Sequence, residues 1–149
     1  MAQAIARDMF IDGASHGHPP ASLTRVESAG VAAGSGSHMT REAQDALNAM
    51  GVDPGRHRSQ PLTQDLIAKA TVIYTMTTAH ARRVAEMDPA AKAKTHTLDP
   101  SGKDIDDPMG GPLAEYRACA ERLRTLIRAR LEEPHPAPAA PAPRPARSA

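Results

Sequence analysis

Much of what usually holds a 149-residue chain together is scarce here. There is no tryptophan, one phenylalanine and two tyrosines. Leu, Ile, Val and Phe together supply 21 residues, whereas alanine alone supplies 29. That is below the ~20% of bulky apolar residues at which order becomes doubtful, although disorder also needs a high net charge, and the net charge here is +1. Alanine buries little area, so the expected core is thin. One cysteine, Cys119, excludes an internal disulfide framework and any metal site built from several cysteines. The near-zero charge gives no reason to expect a nucleic-acid partner or an acidic membrane surface. No apolar run approaches the ~18 residues of a membrane span, and no basic-then-apolar leader opens the chain, so the expected location is cytoplasmic.

What is present reads as alternating helices and strands. Residues 2–11 carry helical periodicity through Ile5 and Met9, with 12–22 expected as a Gly/His/Pro loop. Leu23 to Ser28 alternates as a short strand closed by Ala29-Gly30. Thr40 caps a helix whose apolar stripe is Ala43, Leu47 and Met50 and which Gly51 ends; Thr63 caps a shorter one through Leu66, Ile67 and Ala70. Val72–Met76 is the strongest strand, followed by a helix over about 79–87 and a weaker strand at Lys94–Leu98. Pro112 opens a long final helix with an apolar face from Leu113 and Tyr116 to Leu131. From Pro134 the chain is Pro/Ala-rich, as expected of a disordered tail. The expected domains are therefore 1–132 and a tail, 133–149. Helix and strand in alternation predict an α/β fold, a parallel sheet with helices on both faces.

The chemistry concentrates at Asp107-Pro108-Met109-Gly110-Gly111. Proline fixes its own φ and pushes the preceding residue toward extended backbone, and the glycines let the chain turn beside a ligand. Such an Asp suits a general acid that hands a proton to a leaving group. Taken alone, Asp-Pro-x-Gly is more often an ordinary turn than a catalytic acid. Asp104 and Asp106 read as solvated loop charges. Cys119 falls mid-helix, away from the helix N-terminus that would activate it, and reads as a packed thiol. His16-Gly17-His18 has no carboxylate or cysteine at ligand spacing, and neither metal nor cofactor is expected.

Five stretches in order carry a resemblance: Val26-Glu27-Ser28-Ala29-Gly30-Val31, His57-Arg58-Ser59-Gln60-Pro61-Leu62-Thr63, Ile73-Tyr74-Thr75-Met76-Thr77, Asp107 to Gly111, and Tyr116. Together they resemble the low-molecular-weight protein tyrosine phosphatase family. The resemblance implies a flavodoxin-like sheet of order 2-1-3-4 and metal-free hydrolysis of phosphorylated protein side chains through a cysteinyl-phosphate. It implies Asp107 as the acid, His57 as a support behind the phosphate loop, and Ser28 and Gly30 beside that loop. Gln60 stands where many members have Arg. Met109 stands where phosphotyrosine enzymes carry an aromatic residue. The sequence is nearer the Asp-Pro-Phe-Gly-Gly of bacterial protein arginine phosphatases, so phosphotyrosine or phosphoarginine is the expected substrate.

In that family the first strand leads into a loop of the form Cys, five residues, Arg, Ser, Pro, Met, Ala. Met1-Ala2 resembles its last two residues, and the loop and strand 1 are expected to be missing. Strand 2 would then face strand 3 across a gap, and the chain alone is expected to be unstable and inactive. The alternative is a non-catalytic remnant that acts as a binding or regulatory module. Arsenate reductase on the same fold needs more cysteines than Cys119.

Overall fold

The computed structural model describes residues 1–15 and 25–134, of 11–15 the backbone only. The 16–22 part of the expected loop with its His16-Gly17-His18, the Leu23-Thr24 start of the expected strand, and the tail from 135 lie outside the described residues.

Among the described residues five α-helices, one 3-10 helix and two strands follow one another: α1 (Ala2–Ser15), α2 (Arg41–Ala49), α3 (Gln64–Lys69), β1 (Ile73–Thr75), α4 (Thr78–Met87), the 3-10 helix (Pro89–Lys94), β2 (Thr95–Thr97) and α5 (Leu113–Leu131). Threonine starts three of the helices. Thr40, Thr63 and Thr77 adopt extended backbone, and each hydroxyl accepts from an N–H three residues on, at Ala43, Leu66 and His80. Gly51, at φ +75°, closes α2 in the left-handed region. Helix α1 runs on through Gly13 to Ser15, past the loop boundary expected at residue 12. A glycine in a helix costs only ~1 kcal/mol, which neighbouring turns can absorb.

β1 and β2 pair in parallel, Ile73 with Thr95 through Thr75 with Thr97. Leu98 and Ile105 extend the contact by donating to the Thr75 and Met76 carbonyls. Side chains alternate across β1. Tyr74 and Met76 pack against a large cluster formed by Ile5, Leu47, Val52, Tyr116, Leu123 and Ile127, while Ile73 joins a smaller one with Ile67, Val84 and Ala91. Helices α1, α2 and α5 therefore cover one face and α3 and α4 the other, the α/β arrangement expected. Alanines 4, 43, 46 and 120 are buried in the large cluster, and their small size lets α1 and α2 approach α5 closely.

Over its described residues, the strand expected at Leu23–Ser28 does not form a ladder. Residues 25–29 keep the alternation, with Val26 and Ser28 turned inward and Arg25, Glu27 and Ala29 exposed. They belong to no ladder, and only an isolated parallel bridge joins Gly30 to Pro61. A strand needs a neighbour to take its carbonyls. Here side-chain amides take them: Gln3 Nε2 donates to Val26 O at 3.0 Å and Gln60 Nε2 to Ser28 O at 2.9 Å.

Arg130 fixes α5 to the end of β2. It is 9% exposed, donates to the Leu98 carbonyl at 3.1 Å and to that of Thr97, pairs with Glu133 at 2.8 Å, and lies over the Tyr74 ring 5.3 Å from its centre.

Candidate functional site

The N-terminal end of α1 gathers the residues that the sequence singled out. Gln3, in its first turn, is the hub. Its Oε1 accepts from Ser28 Oγ at 2.9 Å and faces His57 Nδ1 at 3.2 Å, while its Nε2 serves Val26. The Val26 carbonyl can face only a donor, which fixes the orientation of the Gln3 amide. The amide oxygen is then an acceptor toward His57, so Nδ1 carries the ring proton and Nε2 keeps a lone pair. The His57 pKa is lowered, first by burial and then by the nearby charge of the Met1 amino group.

Gly30 sits where the loop after this segment turns. Its N–H donates to Gln60 O at 3.0 Å and its carbonyl accepts from Leu62 N at 2.9 Å. A Cβ there would lie 2.6 Å from that of Ala33, so only glycine fits. Ser59 closes the same loop: its hydroxyl donates to Gly34 O at 2.7 Å and accepts from Ser37 N at 3.0 Å.

Asp107 lies on the long connection that leaves the carboxyl end of β2, the edge at which open α/β sheets bind ligands. It is exposed, and its Oδ1 accepts from Met109 N at 3.0 Å, so the carboxylate caps its own turn. Gly110 at φ +81° and the Gly111 N–H bond to Pro108 O (2.9 Å) complete that turn. Met109 is 74% exposed. The connection is tied down upstream: Asp104 accepts from Thr78 N, at the start of α4, at 2.7 Å, and Arg122 on α5 pairs with Asp99 at 3.1 Å. Asp104 is therefore a helix-capping group rather than a free loop charge, although it is exposed.

Cys119 joins the two halves. Its thiol feels the Met1 amino charge, which also acts on His57, and the charges of Asp107, Arg122 and Asp106. Burial is the largest influence and pushes its pKa up, the opposite of what an activated nucleophile needs. Residues 1–149 contain no other cysteine, and position 125, where a Cys119-based loop would need Arg, is Thr. Among the described residues no group of His, Cys, Asp and Glu could hold a metal ion, and no helix is long and apolar enough to cross a membrane.

The structure brings His57 and Ser28 together through Gln3, with Gly30 in the adjoining loop, whereas Asp107 stands on the β2–α5 connection with no hydrogen bond to that network. Gln3 was missed in the sequence. The signal was there in principle, a polar residue on an otherwise apolar first turn, but its partners are 23 to 54 residues away.

Comparisons with known proteins agree on the family and the fold. The family described as low molecular weight phosphotyrosine protein phosphatase matches residues 5–134. A protein-arginine-phosphatase of Geobacillus stearothermophilus is 42% identical over 106 residues, which cover 68% of this chain and 71% of that protein. A low-molecular-weight protein-tyrosine-phosphatase of Acinetobacter johnsonii is 30% identical over 103 residues, 68% of this chain and 72% of that one. Among solved structures, the arginine phosphatase of Geobacillus stearothermophilus superimposes with a TM-score of 0.76 at 35% identity, covering 88% of this chain and 80% of that chain. The chain belongs to the low-molecular-weight phosphotyrosine protein phosphatase family.

Proposed function

We propose that this fold carries the acid side of a phosphoprotein phosphatase that works through a cysteinyl-phosphate, with Asp107 as the general acid. In the first step a thiolate displaces the leaving group from phosphorus, and the Asp107 carboxyl gives its proton to the departing nitrogen or oxygen. In the second, the Asp107 carboxylate takes a proton from the water that attacks the cysteinyl-phosphate. The observation that carries the reading is the Gln3–Ser28–His57 network at the N-terminal end of α1, where helix N–H groups and dipole favour an anion, with the Asp107 turn on the connection that leaves the carboxyl end of β2. His57 and Ser28 support the loop that cradles the phosphoryl group; Gly30 keeps the adjoining segment close. The domain doing this work is residues 1–132.

The exposed, slender Met109 favours phosphoarginine over phosphotyrosine, because it offers no aromatic face to stack on a phenol ring. The names of the arginine phosphatases among the relatives support the same substrate.

The nucleophile loop is not among residues 1–149, and Cys119 is held as a thiol. That favours a second reading for the chain as it stands, a module that binds without hydrolysing. A direct test fuses a family first strand and its Cys-x5-Arg-Ser-Pro loop ahead of Met1. Turnover of a phosphoarginine peptide is expected to appear only in the fusion, and to exceed that of a phosphotyrosine peptide. Asp107→Asn in the fusion should then lower the rate ~10²–10⁴-fold. Turnover by the unfused chain would refute its inactivity, and an unaffected Asp107→Asn fusion would remove Asp107 from the chemistry.

A further inference from the structure

A recess of ≈ 310 Å³ opens beside His57, on the far side of the Gln3 network, between the start of α2 and the 55–58 segment. His38, Gln44, Arg56, His57 and Arg58 line it. Its charge balance is one-sided. Arg56 and Arg58 are exposed, and neither belongs to an ion pair among the described residues. A third guanidinium, that of Arg7, reaches 3.1 Å from where a side chain at Gly55 would begin. The nearby carboxylates are engaged or turned elsewhere. Asp53 accepts from the Gly55 N–H at 2.9 Å, Asp45 faces Arg41 at 3.9 Å, and Glu42, exposed in the first turn of α2, is not part of the lining.

The Arg58 guanidinium lies directly against the His38 ring, and the Ser37–Ser59 bonds hold the two segments in that juxtaposition. An acidic group placed in the recess would receive charge-assisted hydrogen bonds from Arg56 and Arg58. Arg56 and Arg58 are two residues apart, with His57 turned inward between them. The chain bends at Arg56, directly after Gly55 at φ +62°, and both arginines border the recess on either side of His57.

We propose that this recess is a docking subsite for the carboxylate side chains of an acidic segment that flanks the phosphorylated residue of a protein substrate. It rests on the phosphatase reading for the word substrate, and deepens it, because His57 belongs both to the recess and to the network behind the reaction site. Arg56 and Arg58 take acidic side chains at alternate positions of the segment, and His38 closes the recess from the opposite wall.

Binding can be read without turnover. A fluorescein-labelled peptide of alternating Gly and Glu, without a phosphoryl group, is titrated with the chain by fluorescence anisotropy, beside its Gln counterpart. The Glu peptide is expected to bind more tightly, and its affinity to fall between about 25 and 200 mM salt as exposed charges are screened. Arg56→Ala/Arg58→Ala should weaken it about five- to twentyfold, the scale of two exposed charge pairs. Arg82→Ala/Arg128→Ala removes the same charge from exposed positions elsewhere and is expected to leave binding unchanged, as is Asp107→Asn. Equal affinity of the parent and the Arg56/Arg58 variant, no preference for Glu over Gln, or an equal loss in the Arg82/Arg128 variant would each overturn the subsite. The peptide needs no thiolate or acid, so its failure leaves the phosphatase reading intact, and an inert fusion enzyme leaves the binding result standing.

Discussion

Gln3→Leu tests the hub of the site with a side chain of similar volume and no polar atoms. Three half-buried interactions disappear: the donation to Val26 O, the acceptance from Ser28 Oγ and the contact with His57 Nδ1. An intramolecular hydrogen bond is worth ~0.5–1.5 kcal/mol net, so the gross loss is about 3 kcal/mol. Water can reach part of this region and leucine gains some burial, which leaves an expected cost of about 2 kcal/mol. In urea the midpoint should fall by about 1 M if the slope is ~2 kcal/mol/M. A thin core makes that loss large, and a sharp, high-temperature melt of the parent chain would itself contradict the expected low stability. Nitrogen-15 NMR of the imidazole gives a second readout. The parent should show the neutral ring of His57 with its proton on Nδ1, and Gln3→Leu should mix the tautomers. A midpoint shift under about 0.2 M with an unchanged imidazole spectrum would mean that Gln3 neither holds the segment nor sets the ring.

Other outcomes follow from the same coordinates. Arg130→Ala strips the Thr97 and Leu98 carbonyls and the Tyr74 face of their cation and should cost about 3 kcal/mol; Arg130→Lys should recover less than half, since one ammonium cannot span that fork. Denaturant midpoints of the two variants check this. Because the His57 pKa is lowered on folding, the unfolded chain binds the extra proton first. Its contribution is whole above the ordinary histidine value and is lost as pH falls through the folded one. A midpoint series from pH 7.5 down to 5 should therefore decline more steeply for the parent than for His57→Gln; parallel curves would refute the shift. Iodoacetamide should alkylate Cys119 more slowly in the native chain than in urea, because burial raises its thiol pKa, and faster native labelling would expose an activated thiolate.

The sequence showed most clearly what is decided locally. Thr40 and Thr63 announced their helices because a threonine hydroxyl reaches an N–H three residues on, whatever the rest of the chain does. The Asp107 turn was legible for the same reason: Asp, Pro and two glycines settle their geometry among themselves. Partners distant in sequence were not legible. Val26 to Ser28 alternates like a strand and lies extended, but two glutamines from other segments take its carbonyls, and alternation cannot show which neighbour a segment will have. Asp104 likewise looked solvated because its helix, α4, begins 26 residues earlier. The 3-10 turn at Pro89–Lys94 was hidden by its alanines, which suit a helix, a turn or a strand end about equally.

The connection from β2 to α5 is usually the kind of segment that tolerates change. Here it is stitched at Leu98, Asp99, Asp104, Ile105 and Gly111, and a Cβ at Gly111 would lie 3.1 Å from the Pro108 carbonyl oxygen. The slack is confined to the exposed Lys103, between the turn in which Ser101 and Gly102 donate to Asp99 and the anchored Asp104. An affinity tag or a fluorescent reporter inserted there would ride on the acid loop without shifting the acid. Protein engineers would thereby gain an attachment point close to the chemistry yet mechanically insulated from it.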